Sequence, residues 1–168
     1  MNRNGLTLLQ LKPRNPKCDR GLREQQPKKG VGPMNEEIKK HIYPLTIKEQ
    51  YLDYFGHVNH AAYLTLFEEA RWDWISSRGF HLERIGEIGY GPVILEALVQ
   101  YKRELKARQK IWIESHVREQ ERVISVIEQT MRDENQIYAV ATLRAGIMDF
   151  KKRKLIPPPD EWKQALRI

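Results

Sequence analysis

The sequence predicts an α+β domain in which an antiparallel sheet wraps around one long helix. Two observations carry this: an apolar stripe at helical spacing between Asn59 and Arg78, and four later segments in which apolar and polar residues alternate. Their order is the third. One strand, then the helix, then four strands joined by short turns makes that helix the centre the sheet can close around.

Composition sets the limits. At 168 residues and 40% apolar content the chain suits one domain with a core of useful size. No apolar run approaches the roughly 18 residues of a spanning helix, and the N-terminus lacks a secretory signal pattern, so the chain reads as soluble and cytoplasmic. The only cysteine, Cys18, excludes a disulfide framework.

The formal net charge of +7 is concentrated at the start. Residues 1–34 carry Arg3, Lys12, Arg14, Lys17, Arg20, Arg23, Lys28 and Lys29 against Asp19 and Glu24, and the rest is nearly neutral. Four prolines and little periodicity make 1–34 a basic, disordered extension, with 35–168 as the working domain and Met34 an alternative start. Charge confined to such a tail makes nucleic acid an unfavoured partner.

Each element has a local reason. Leu45, Ile47, Glu49 and Tyr51 alternate with Thr46, Lys48 and Gln50, giving a first strand that ends at Asp53. Tyr63, Leu66, Phe67, Ala70 and Trp74 form the helix stripe, and Gly79 is placed to end it. Gly86, Gly89, Gly91 and Pro92 predict a loop, followed by a strand over Val93–Leu105 whose apolar run suggests burial on both faces. Ile111–Val117 and Val123–Glu128 alternate as a hairpin, Ile137–Met148 is a long last strand, and Glu161–Leu166 fits a closing helical turn.

The segment most suggestive of chemistry is Asp53, Tyr54, Phe55, Gly56, His57, Val58, Asn59, His60. A carboxylate and an imidazole flank a glycine just before a helix N-terminus, where free N–H groups and the helix dipole can stabilise an oxyanion beside a general base. Blander roles fit the same residues. Asp53 suits a turn cap, His57 and His60 suit local bonding, Asn59 suits a helix N-cap, and Tyr63 suits the core. No third histidine or paired carboxylate lies nearby, so no metal is predicted.

From Asp53 through Tyr63, with Phe67–Arg71 following, the chain resembles the hotdog-fold acyl-CoA thioesterases of the 4-hydroxybenzoyl-CoA thioesterase type. The likeness spans about residues 40–165: an Asp, two residues, a Gly, a short linker, then Asn and Tyr opening the helix. It implies hydrolysis of an acyl-CoA or related thioester without a cofactor, in homodimers or dimers of dimers that join sheets edge to edge and hold active sites at the interface.

The resemblance also implies roles. Asp53 would act as general base or nucleophile, and the His60 backbone N–H would polarise the thioester oxygen. His57 matches a histidine of the plant acyl-carrier-protein thioesterases, but Phe55 replaces their asparagine, which leaves His57 a supporting role. Asn59, Tyr63 and Arg122 are assigned to substrate binding, Arg122 to the CoA phosphates with Lys102, Arg103 and Lys106 as alternatives. Glu68 is a reserve carboxylate, or else a solvated residue paired with Arg71. Two other functions fit the fold: a non-catalytic acyl-CoA binder, and a hydratase or dehydratase, whose usual motif spacing is absent.

Overall fold

The computed structural model describes residues 40–166, so the expectations for the basic extension, Cys18 and Met34 lie outside the described residues. The strands are β1 (His41–Thr46), β2 (Tyr90–Tyr101), β3 (Lys110–Gln120), β4 (Ile124–Arg132), β5 (Ile137–Asp149) and β6 (Lys154–Ile156). The helices are α1 (His60–Ser76), α2 (Leu82–Ile88) and α3 (Asp160–Leu166). The sheet is antiparallel in the order β1-β3-β4-β5-β2, with β6 paired to β5.

Around α1 this sheet makes the hotdog arrangement. Tyr63, Leu66, Phe67, Ala70, Trp74 and Ile75 are the buried residues of α1, the spacing of one face of a 3.6-residue period. They pack into one core with Ile111, Ile113, Ile127, Met131, Leu143 and Ile147 of the sheet. Asn59 caps α1 by accepting the Ala61 N–H at 2.9 Å, and Gly79 takes a positive φ of 89° as the chain leaves the helix.

Three elements depart from expectation. The first strand lies earlier, at His41–Thr46, and Glu49–Tyr51 forms a single 3-10 turn that had mimicked further alternation. A short helix, α2, fills the predicted glycine loop, capped by the His81 side chain and ended by Gly89 at φ 75°. In β2 the run Ile94–Leu98 is exposed rather than buried on both faces, because β2 is an edge strand hydrogen-bonded only to β5 among the described residues. An extra residue in β2 at Leu95 shifts its register against β5 between Ile94 and Glu96.

Candidate active site

The loop between the 3-10 turn and α1 is a small closed hairpin. Leu52 and Val58 form an isolated antiparallel bridge, and between them the Asp53 N–H donates to the His57 carbonyl at 2.8 Å. The Gly56 N–H donates to the Asp53 carbonyl, and Gly56 turns the chain at φ 79°. The 3-10 turn and the β2–β3 loop pin the hairpin. The Asn59 N–H donates to the Tyr51 carbonyl and the Val58 N–H to the Leu105 carbonyl, each at 2.8 Å.

Inside this loop the Asp53 carboxylate is half-buried. Its Oδ1 accepts the N–H groups of Phe55 at 2.8 Å and His57 at 3.2 Å, while Oδ2 has no partner among the described residues. The capping role and an available second oxygen therefore coexist. Tyr54 and Phe55 stand 98% and 80% exposed on either side of the loop tip, edge to face with each other.

His60 opens α1, so its N–H precedes the first intrahelical bond. No acceptor for it is present among the described residues. This donor sits at the positive end of a 17-residue helix. The His60 carbonyl accepts the Tyr101 hydroxyl at 3.1 Å, which fastens the helix start to the end of β2.

The His57 ring turns to Glu104, with Nε2 3.2 Å from Oε2, rather than to the Asp53 carboxylate. Glu104 also pairs with Lys106 at 3.1 Å, and that hydrogen bond, with the charge of His57 and of Lys106 behind it, lowers the Glu104 pKa. Tyr63 is buried in the core; its hydroxyl donates to the Arg103 carbonyl at 3.3 Å, and burial, with nearby Tyr101, pushes its pKa up to about 12.

Asp53, His57, Asn59, His60 and Tyr63 thus share one end of the sheet with Lys102, Arg103 and Lys106. Arg122 does not. It lies in the β3–β4 turn, and β3 runs from Lys110 near the Asp53 loop to Gln120 near Arg122, roughly 30 Å away at ~3.3 Å per residue. Within one chain the two cannot face the same small group. Glu68 and Arg71 do not pair either: Arg71 turns inward to Gln129 at 2.8 Å, and Glu68 accepts from the Trp72 indole at 3.4 Å.

Sequence reasoning missed Tyr101 and Glu104 as neighbours of the loop. Their signal was only the end of an apolar run. No group of three or more metal-ligating side chains occurs among the described residues, and no helix among them is long and apolar enough to cross a membrane.

Comparison with known proteins supplies the family. The model of the thioesterase-like superfamily matches residues 47–166. The chain is 26% identical over 125 residues to the long-chain acyl-CoA thioesterase FadM of Escherichia coli K12, covering 73% of this chain and 93% of that protein. A hypothetical protein from Aquifex aeolicus superposes with a TM-score of 0.69 at 25% identity, covering 75% of this chain and 98% of that one. DHNA-CoA thioesterase from Staphylococcus aureus shares the fold with a TM-score of 0.67 at 22% identity, covering 75% and 87%.

Proposed function

The chain belongs to the thioesterase-like superfamily, and from that premise we propose that it hydrolyses an acyl-CoA to the free acid and CoA thiol with Asp53 as general base. The observation that carries this is a carboxylate oxygen without a partner and a helix N-terminal N–H without an acceptor among the described residues, one in the short hairpin and the other at the start of the helix it leads into. Asp53 removes a proton from water as the hydroxide adds to the thioester carbon. The oxyanion formed there accepts the His60 N–H, the C–S bond breaks, and the proton passes to the departing thiolate.

The assembly we propose is a pair of sheets joined at β2. Its outer edge is unpaired among the described residues, and Ile94, Leu95, Leu98 and Tyr101 are exposed along it. In a two-fold antiparallel pairing, the Tyr101 end of each strand meets the Tyr90 end of the other. The Asp53 loop of one copy then lies over the Pro92 and Ile94 end of its partner. Arg103, Lys102 and Lys106, beside the same loop, are the cations suited to the CoA phosphates.

A thiol-release assay over a panel of acyl-CoAs tests this reading. Asp53→Asn keeps an oxygen for the two loop N–H groups but loses the base, so kcat/KM is expected to fall at least 100-fold, the low end of general-base contributions. Undiminished turnover in that variant removes Asp53 from the mechanism, and acyl-CoA that binds without being cleaved by the wild type makes the protein a binder.

A further inference from the structure

A cavity of about 100 Å³ lies between α1, the inner face of the sheet and α3. Its floor is Trp74, Ile75, Trp162 and Leu166, all buried. Helix α3 is firmly seated there. Trp162 packs edge to face on Phe80 with ring centroids 4.4 Å apart, and Glu161 accepts from Arg84 at 2.7 Å. At the other side the lining residues are open to solvent: Ile94 on β2 is 43% exposed, and Glu68 on α1 is exposed. The cavity is therefore a blind pocket entered from the β2 edge.

We infer that this pocket receives the acyl group and that the substrates are compact acyl thioesters, aryl or short and branched, with about the volume of one ring. An apolar cavity of about 150 Å³ is known to hold a benzene molecule, so the space here is on the scale of one ring or a branched chain of a few carbons. A long straight chain would have to drive Trp162 and Leu166 out of the core. The inference rests on the reading above, because it is the second copy joined at β2 that brings an Asp53 loop over the entrance.

Rates of thiol release from benzoyl-, isovaleryl-, acetyl- and palmitoyl-CoA, measured on the full chain, test it. The expected result is a kcat/KM for benzoyl- or isovaleryl-CoA at least tenfold above that for palmitoyl-CoA. Ile94→Trp narrows the entrance, and is expected to lower the ratio of kcat/KM for benzoyl-CoA to that for acetyl-CoA tenfold or more. Palmitoyl-CoA cleaved as fast as the compact esters, in a reaction that Asp53→Asn abolishes, overturns the inference and leaves the thioesterase reading standing. An equal effect of Ile94→Trp on benzoyl- and acetyl-CoA also overturns it. Failure to cleave any of the esters overturns both. The wild-type panel decides even where the variant does not fold.

Discussion

Arg71 donates from Nη1 to Gln129 Oε1 at 2.8 Å, so a cation of the central helix is held from below by a neutral amide of the sheet. Gln129 is fully buried, and its Nε2 donates onward to the Phe67 carbonyl at 3.0 Å and the Ser115 hydroxyl at 2.9 Å. Burial lowers the Arg71 pKa, opposed by the charge of Glu68. Gln129 is thus the point where α1, β3 and β4 are tied together.

Replacing Gln129 by Leu leaves the guanidinium, the helix carbonyl and the hydroxyl without this partner. The expected loss is about 3 kcal/mol of stability, read from urea unfolding. A change below about 1 kcal/mol would mean that water restores the network.

His116 gives the fold a pH dependence. Its ring is buried on β3 opposite Glu128, with Lys40, Glu114 and Arg118 around it, and Nδ1 has no hydrogen-bond partner among the described residues. Desolvation lowers its pKa below 6.5, against the raising effect of Glu128. The unfolded chain then binds more protons than the folded one in mildly acidic solution, so stability is complete above pH 6.5 and is lost as pH falls toward the folded value. The slope is bounded at about 1.4 kcal/mol per pH unit. His116→Leu is expected to flatten this part of the stability curve between pH 7 and 5; parallel curves for the two proteins would exclude His116 as the source.

Gly91 is required by close packing. A Cβ there would lie 2.8 Å from Ile85 Cγ2 and 3.0 Å from the Phe150 ring, wedging α2 off the start of β2. Gly91→Ala is expected to cost about 1–3 kcal/mol, visible as a lower thermal midpoint. Unchanged stability would show that α2 moves freely.

Leu98→Lys tests the β2 edge. Leu98 is 58% exposed in the single chain, and in the proposed antiparallel pairing it lies opposite the Val93 region of the other copy, so a lysine there sets an unpaired charge against apolar residues of the seam. Light scattering after size exclusion is expected to show a monomer in place of the proposed dimer, with activity falling in step. A variant that stays dimeric would move the interface elsewhere.

Helix α1 was legible in the sequence because its stripe has only one solution, and β3, β4 and β5 because their inward residues alternate without interruption over most of their length. Asp53, His57, Asn59 and His60 were legible together because they are neighbours in the chain. Arg122 could not be placed that way: nothing local to a turn says which end of the sheet it occupies, and sheet order decides that. The apolar run of β2 implied burial, but burial of an edge strand depends on what lies beyond it. Helix α2 was hidden because Gly86 and Gly89 read as breaks, although Gly89 is the stop of a seven-residue helix.

The extra residue at Leu95 has its own consequence. Strand side chains alternate with a strict period of two, so Pro92 and Ile94, facing Ile147 and Ala145, would leave Ala97, Val99 and Tyr101 on the wrong side of an unbroken strand. The irregularity resets the count. Pro92 and Ile94 in the first half and Ala97, Val99 and Tyr101 in the second thus share one face, and excising that single leucine would turn the Tyr101 hydroxyl away from the His60 carbonyl without touching either residue.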